Sequence, residues 1–182
     1  MQTLINDLLA FSRVGQQGAH MRAVELNDAA TDAITGLDAA IEDTDADVSI
    51  GQLPVVHGDR ALLTQLFQNL ITNSIKFRRV DEPPVVRITA SPKADMWEFS
   101  CQDNGIGIEP AYAERVFVIF QRLHPRDAYP GTGIGLALCR KIVDFHGGRI
   151  WIDTEPAATP GTTIRWTLPV YENGKEVTDG AR

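Results

Sequence analysis

Apolar side chains recur at helical spacing in several long segments of the chain. One segment runs from Gln2 to Arg13, another from Asn27 to about Glu42, and a third from Asp59 to about Arg78. A fourth begins in a glycine-rich segment and ends at His146, just before two glycines. This periodicity is typical of amphipathic helices that bury one face. We therefore predict helices in these segments, with Asn27 and Asp59 as N-caps.

Shorter runs of β-branched and aromatic residues lie between these segments. The predicted strands are Arg22–Leu26, Val48–Ile50, Leu53–His57, Val85–Ala90, Met96–Gln102, Arg149–Thr154 and Thr162–Leu168, and Pro110–Val116 is a predicted short helix. The last two strands flank a Pro-Gly pair and predict a hairpin. Because most strands follow one another along the chain, we expect an α+β fold. Its form would be a two-layer α/β sandwich: a mixed sheet of five or more strands, helices on one face, and an extra N-terminal helix.

Composition narrows the class of protein. The 182 residues are enough for one domain, and 43% of them are hydrophobic, so a real core is expected. A net charge of −7 argues against a nucleic-acid partner. Cys101 and Cys139 lack metal-ligand spacing and are expected to be reduced thiols. No run reaches the roughly 18 apolar residues of a membrane span, and the first residues do not resemble a secretory signal. We expect a cytoplasmic segment.

Three alternating glycines, Gly131, Gly133 and Gly135, open the fourth predicted helix. A helix N-terminus offers unpaired N–H groups and the positive end of the helix dipole, and glycine lets an anion approach the backbone closely. A phosphate chain is the expected ligand, although a glycine turn before a helix is also an ordinary joint. The element order is not βαβ, and Leu136 stands where a dinucleotide fingerprint has its last glycine, so a Rossmann site is disfavoured.

Asp103 follows a predicted strand and precedes Gly105 and Gly107. A carboxylate accepts hydrogen bonds, which suits the exocyclic amino group of adenine, whereas guanine offers a carbonyl at that position. The two glycines would let the backbone turn beneath the base. The alternative is a plain hairpin turn, which is disfavoured because no partner strand follows directly.

Asn69, Asn73 and Lys76 share one face of the third predicted helix. The amide oxygen of Asn73 suits Mg²⁺, and Lys76 can neutralise a phosphate. A solvated polar stripe is the alternative, although asparagine is a poor choice inside a helix. Arg122 lies in the polar segment 121–130, which we expect to be a mobile loop able to close over phosphates.

These motifs together resemble the sensor histidine kinases. Four motifs of that family are called the N, G1, F and G2 boxes. They are similar, in that order, to Asn69–Phe77, Asp103–Ile108, Phe117–Phe120 and Gly131–Leu136, and the family's last glycine motif is similar to Gly161–Thr163. Ile119–His124 followed by Tyr129–Gly133 is especially similar to bacterial phytochrome-type kinases. The resemblance covers roughly Arg22 to Val170. It implies a Bergerat-type ATP-binding fold of the GHKL superfamily with a flexible lid between Phe120 and Gly131.

The resemblance also implies roles for individual residues. Asn73 would bind Mg²⁺, Asp103 would bind adenine, and Asn69, Lys76 and Arg122 would be the catalytic residues. The implied ATP contacts are Asn69, Asn73, Lys76, Asp103, Gly105, Gly107, Gly131, Thr132, Gly133, Gly135, Leu136 and Thr162. Ser74 stands where many relatives carry alanine, a small change that we expect to be tolerated.

Residues 1–14 resemble the end of the second helix of a dimerisation hairpin, which would make 15–21 a linker, 22–170 the ATP-binding domain and 171–182 a flexible tail. The residues alone leave open whether this helix docks onto the domain or belongs to a dimeric bundle. In the family, the phosphoacceptor histidine sits on the first hairpin helix. The histidines present here, His20, His57, His124 and His146, lie outside such a motif.

We therefore expect Mg-ATP binding and transfer of the γ-phosphoryl group to a histidine on a separate dimerisation domain. The expected partners are that domain, a second copy in the full-length protein and, indirectly, a response regulator. Two alternatives stay open: an ATP hydrolase of the same superfamily, and a non-catalytic nucleotide-binding module. The hydrolases use a glutamate one turn before the metal-binding asparagine, where this chain has Asn69, whose amide cannot accept a proton at neutral pH.

Overall fold

The computed structural model of the chain describes residues 2–15, 20–123, 129, 131–155 and 160–171. The helices are α1 (Gln2–Arg13), α2 (Leu26–Thr35), α3 (Asp38–Thr44), α4 (Arg60–Lys76) and α5 (Gly135–Phe145). The strands are β1 (Arg22–Glu25), β2 (Asp47–Ile50), β3 (Val55–Gly58), β4 (Val85–Lys93), β5 (Met96–Asp103), β6 (Ile150–Ile152) and β7 (Thr163–Pro169). Among these residues no helix has the length and apolar character needed to cross a bilayer.

Five strands form one mixed sheet in the order β2-β4-β5-β7-β6. The β2–β4 pair is parallel, and the other three pairs are antiparallel. The predicted mixed sheet and the predicted β6–β7 hairpin are thus confirmed. Strands β1 and β3 pair with each other in a separate two-stranded sheet, a division that the sequence pattern does not predict.

The core lies between the main sheet and helices α2, α4 and α5. Trp166 on β7 is fully buried, stacks on Phe99 of β5 with ring centroids 5.2 Å apart, and meets Phe67 of α4 edge-on. Large aromatic side chains of this kind supply much of a core's stability. The opposite face of the same strands is polar: Arg165 pairs with both Glu98 and Asp153. Period-two alternation along the strands therefore leaves one face for the helices, as predicted.

The second predicted helix is interrupted, so the prediction of one helix from residue 27 to about 42 was wrong. Helix α2 ends at Thr35, where Gly36 closes it by donating its N–H to the Asp32 carbonyl oxygen at 3.0 Å. Asn27 is not the N-cap, because Glu25 occupies that position. The Asn27 side chain instead donates to the Gly51 carbonyl and accepts from the Leu53 N–H, which ties α2 to the β2–β3 loop.

The prediction of one short helix at 110–116 was also wrong in detail. The segment forms two separate 3₁₀ turns, Pro110–Tyr112 and Arg115–Phe117. The predicted tail beyond Tyr171 lies outside the described residues, as do His124 and Pro130 of the predicted lid.

Helix α1 docks onto α5. Lys141 on α5 donates to the Phe11 carbonyl oxygen at 2.7 Å, and its ammonium group lies 4.5 Å from the Phe11 ring centroid. Val14, just after α1, is buried. The other face of α1 remains apolar and exposed, with Leu4, Ile5, Leu8 and Leu9. Docking onto the domain is therefore observed, and α1 still has a second face open to a partner.

Candidate functional site

One cavity of about 350 Å³ brings together almost all of the predicted ATP-contacting residues. Its walls come from α4, the end of β5, the segment after it, and the glycine loop before α5. The predicted residues that line it are Asn69, Asn73, Lys76, Asp103, Gly107, Arg122, Gly131, Thr132, Gly133, Gly135, Leu136 and Thr162. A cavity of this size is typical of small-molecule sites. The exception is Gly105, which does not line the cavity but donates its N–H to Asp103 Oδ1.

Helix α4 presents its polar stripe to this cavity because its apolar face is fixed in the core. Asp59 caps the helix as predicted, since Oδ1 accepts from the N–H groups of Ala61 and Leu62 at 2.9 and 3.2 Å. With Leu66 and Leu70 buried, Asn69 and Asn73 face the cavity. Asn69, Asn73 and Lys76 therefore share one face of α4, as the sequence spacing predicts.

Asn69 is one of two residues of the described chain with a buried side-chain donor that lacks a partner; the other is Trp166, in the core. The Nδ2 atom of Asn69 is buried and has no hydrogen-bond partner among the described residues. A buried donor without a partner costs about 1–3 kcal/mol.

Asp103 defines one end of the cavity. Its Oδ1 atom accepts two backbone hydrogen bonds, from Gly105 at 2.9 Å and from Thr162 at 3.0 Å. Its Oδ2 atom lies 3.3 Å from the hydroxyl of Ser74. Burial raises the pKa of the Asp103 carboxyl, and these three hydrogen bonds act in the opposite direction with smaller effect. We call the part of the cavity around Asp103 the base end, after the purine base that the sequence predicts at this residue. The two backbone donors fix the orientation of the Asp103 carboxylate there.

Gly161 explains why Thr162 reaches Asp103. A Cβ added at Gly161 would collide with the Asp103 carbonyl oxygen, so only glycine lets the two backbones come this close. The close approach places the Thr162 N–H against Asp103 Oδ1. Gly161 therefore helps to hold the Asp103 carboxylate, because it lets the backbone of Thr162 come close enough to donate a hydrogen bond.

The other end of the cavity, which we call the phosphate end, is formed by the loop before α5 together with Lys76 and Arg122. Gly133 has φ +75°, and a Cβ there would lie 3.0 Å from the Gln121 carbonyl oxygen. This is a conformation and a spacing that favour glycine. The loop delivers its backbone to the N-terminus of α5, where N–H groups lack helical partners.

Lys76 and Arg122 make the phosphate end positive. Burial and the neighbouring charge of Arg122 lower the pKa of Lys76, and an anionic ligand would offset both effects. Arg122 donates to the carbonyl oxygens of Gly131 at 2.8 Å and Tyr129 at 2.7 Å. In this structure Arg122 therefore holds the backbone of the loop.

Asp7 and Ser74 are two of the polar cavity residues that were not predicted as site residues; the others are Thr72, Gln121 and Tyr129. Asp7 of α1 lies at the phosphate end, where its Oδ2 accepts from the Thr132 hydroxyl at 2.6 Å. Ser74 lies at the base end. The only sequence signal for Ser74 was a small polar residue within the buried stretch of α4, and nothing in the sequence links Asp7 to the glycine loop.

Mg²⁺ would have few protein ligands here. Among the residues that the structure describes, no group of three or more His, Cys, Asp or Glu side chains could hold a metal ion. Mg²⁺ commonly binds through one or two protein oxygens, with substrate phosphates and water as the other ligands. The Asn73 side chain in the cavity fits that mode of binding.

Comparison with known proteins identifies the family. Residues 58–172 match the family described as histidine kinase-, DNA gyrase B-, and HSP90-like ATPase. The chain is 44% identical over 170 residues to phytochrome-like protein Cph1 of a Synechocystis species, which covers 93% of this chain and 22% of that protein. It is 45% identical over 182 residues to cyanobacterial phytochrome A of a Nostoc species, which covers 100% of this chain and 23% of that protein. The chain thus spans less than a quarter of the length of either relative.

Solved structures give the same result for the fold. The mycobacterial sensor histidine kinase MprB superposes with a TM-score of 0.69 at 27% identity, over 82% of this chain and 97% of that one. Full-length ShkA, solved with AMPPNP, superposes with a TM-score of 0.73 over 91% of this chain and 35% of that one. At 23% identity, ShkA shows the fold alone. The chain therefore belongs to the histidine kinase-, DNA gyrase B-, and HSP90-like ATPases, and within that family it is homologous to the sensor histidine kinases, phytochrome-like ones among them.

Proposed function

We propose that this chain binds Mg-ATP in the cavity and transfers the γ-phosphoryl group to a histidine of a dimerisation domain. The observation that carries the proposal is the convergence of three separate segments: the polar stripe of α4, the Asp103 carboxylate, and the glycine loop before α5. Each segment alone has a plain structural explanation. Together they would supply an acceptor for the adenine, donors for the phosphates and a ligand for the magnesium of one Mg-ATP.

Adenine would lie at the base end. Asp103 Oδ2 bears no backbone donor, so it is free to accept a hydrogen bond from the exocyclic amino group. Apolar side chains beside it suit the faces of a purine, and those lining the cavity include Ile106, Ile108, Val116 and Ile164. Guanine would bring a carbonyl oxygen against the carboxylate and would be rejected.

The phosphates would lie at the opposite end. N–H groups at the start of α5 and the ammonium group of Lys76 supply positive charge there. Mg²⁺ would be held by Asn73 together with phosphate oxygens and water, and would neutralise part of the phosphate charge. Arg122 would orient the loop that covers the phosphates. Its positive charge would also stabilise the γ-phosphoryl group during transfer.

Asn69 favours transfer to a histidine over hydrolysis. Activation of water needs a general base, and an amide does not accept a proton at neutral pH. The Asn69 amide, which lines the cavity, would instead be a neutral polar group beside the bound ligand. The attacking imidazole would then come from outside the cavity.

The proposed partners are a histidine-bearing dimerisation domain, a second copy of the protein and, indirectly, a response regulator. The exposed apolar stripe of α1 supports a helical partner, because an exposed row of large apolar side chains is costly in water. The histidine kinase ThkA was solved in complex with the response regulator TrrA, which is a property of that protein. We extend the same kind of partner to this chain as part of the proposal.

The test mixes the chain with Mg²⁺, γ-labelled ATP and a histidine-bearing dimerisation hairpin from a related kinase. We expect acid-labile label on the hairpin, and none when the chain carries Asp103→Asn. Release of inorganic phosphate at the same rate with or without the hairpin would instead identify a hydrolase. Nucleotide binding with neither reaction would identify a non-catalytic module.

A further inference from the structure

Ser74 is a buried polar residue at the base end of the cavity. It lies on α4, next to Asn73, and is 4% exposed, one of the buried polar side chains of the described chain. Its hydroxyl oxygen lies 3.3 Å from Asp103 Oδ2 and 3.1 Å from the carbonyl oxygen of Leu70. The contact with Asp103 bridges α4 and the end of β5.

The two oxygens of Asp103 are not equivalent. Oδ1 accepts two backbone N–H groups, from Gly105 and Thr162, and these donors cannot turn away. A proton on the carboxyl group would therefore have to reside on Oδ2. Protonation would convert the oxygen left for the ligand from an acceptor into a donor, which would then face the amino group of adenine.

We propose that Ser74 is a positioning residue for adenine binding, whose hydroxyl donates to Oδ2 of Asp103 and keeps that oxygen an acceptor. This inference rests on the proposed function, because it assigns adenine to Asp103. The hydroxyl acts on the carboxylate and through it on the ligand. Donation to an ionised acceptor is stronger than donation to a neutral one, so the carboxylate is the favoured partner.

The competing explanation is that the hydroxyl serves only the Leu70 carbonyl. Serine inside a helix often donates to the carbonyl four residues earlier. That carbonyl already accepts the helical N–H of residue 74, however, so it needs no second donor. The two explanations differ in one measurable way: only the first couples Ser74 to the ionisation of Asp103.

Among the described residues, the other titratable or charged groups near Ser74 and Asp103 include two cysteines, Lys76 and Arg122. Burial raises the pKa of Asp103, and the groups that act in the opposite direction are the N–H donors of Gly105 and Thr162, together with the Ser74 hydroxyl. Cys101, on the same strand, has its sulfur 4.0 Å from the Ser74 hydroxyl, and burial raises its pKa to about 12, which keeps it neutral at ordinary pH. Burial also raises the pKa of Cys139 on α5. Lys76 and Arg122 line the phosphate end and are the same in the wild type and in a Ser74 variant.

The test measures the dissociation constant of ADP by calorimetry between about pH 5 and 8 for wild type and Ser74→Ala. The ratio of the two constants cancels the titration of the ADP phosphates. Loss of the hydroxyl raises the pKa of Asp103, so binding fails at a higher pH. The dissociation constant of Ser74→Ala divided by that of wild type should be nearly constant at high pH and should rise as the pH falls. It should then level off after a total rise of about tenfold for each unit by which the variant's Asp103 pKa exceeds that of wild type.

Ser100→Ala is the matched control. Ser100 lies on the same strand as Asp103, but its hydroxyl is 2.9 Å from that of Thr89 and outside the cavity. Its ratio to wild type should stay near one at every pH. A Ser74→Ala ratio that is equally flat would overturn the proposal, because a purely structural role changes affinity by the same factor at each pH.

A second measurement does not depend on ligand binding. The carboxyl carbon of Asp103, followed by NMR in the ligand-free protein, should titrate at a higher pH in Ser74→Ala than in wild type. An unchanged midpoint would also overturn the proposal. If the wild type failed to bind ADP at all, the proposed function would fail, while the carboxyl titration would still report whether Ser74 controls Asp103.

Discussion

The two ends of the cavity are built in different ways. At the base end, Asp103 is partly buried, and two backbone donors and one hydroxyl already hold its carboxylate. At the phosphate end, Asn69 has a buried donor without a partner among the described residues, and Lys76 lies beside the like charge of Arg122. The base end is complete before a ligand arrives, whereas the phosphate end is completed by the ligand.

This difference separates two contributions to affinity. A pre-built acceptor costs little to use, so adenine recognition should depend weakly on salt and on the rest of the nucleotide. Charges and unpartnered donors gain most from an anion, so the phosphate contribution should fall as salt screens it. Substitutions at the two ends should therefore be distinguishable by comparing adenosine with ATP.

The largest effect is expected for Asp103→Asn. The two backbone donors require an oxygen at the Oδ1 position, so the new NH₂ group must replace Oδ2 and face the amino group of adenine. We expect both adenosine and ATP to bind roughly 100-fold more weakly, since a hydrogen bond to a charged group is lost and two donors oppose each other. Calorimetry measures the loss, and circular dichroism checks that the fold is retained. Affinity equal to wild type would remove adenine from this end.

Asn73→Ala should act on the phosphate end only. It removes the amide oxygen proposed to bind Mg²⁺, so the gain in ATP affinity on adding Mg²⁺ should shrink by about tenfold, which corresponds to 1.4 kcal/mol. Adenosine binding should not change. Gln68→Ala, on the same helix but outside the cavity lining, is the control and should keep the full Mg²⁺ effect. A full Mg²⁺ effect in Asn73→Ala would move the metal elsewhere.

Gly133→Ala should strain the glycine loop. Alanine is disfavoured at φ +75° by about 1–2 kcal/mol, and its Cβ would press on the Gln121 carbonyl. We expect ATP affinity to fall about tenfold while adenosine affinity is kept. At Gly51, a Cβ would meet its nearest neighbour at an ordinary 3.6 Å, so Gly51→Ala is the matched control. Equal losses for adenosine and ATP in Gly133→Ala would contradict the division into two ends.

The smallest effect is expected for Asp7→Asn. The carboxylate lies against Thr132 of the glycine loop and repels phosphates, so its neutralisation should tighten ATP binding about threefold at low salt. The gain should disappear at high salt and be absent for adenosine. Asp95→Asn, an exposed change in the β4–β5 turn, controls for net charge. A gain of equal size for adenosine would show that Asp7 does not act through the phosphates.

The parts of this site that the sequence predicted are those set by local geometry. Helix α4 could be predicted because Asp59 is a good N-cap and its apolar positions repeat with helical period. The spacing of Asn69, Asn73 and Lys76 then places all three on one face. The glycine loop before α5 was recognisable for the same reason: its glycines directly precede an apolar helical pattern.

The parts that could not be predicted depend on contacts between distant residues. Ser74 and Asp103 are 29 residues apart, and Asp7 and Thr132 are 125 apart. Asn27 resembled a helix cap, but its side chain bonds to Gly51 and Leu53 across a loop. A local pattern records which residue types are present and how they are spaced, whereas these pairings arise only when the sheet and helices have packed.

The most direct test of the two-ended site is an NMR titration of the chain with adenosine and with Mg-ATP. Adenosine should shift the backbone amides of Gly105 and Thr162 and leave the Asn69 side-chain NH₂ and the Gly133 amide unchanged. Mg-ATP should shift all four signals. Shifts from Mg-ATP that fall outside the cavity lining and spare both ends would contradict the account.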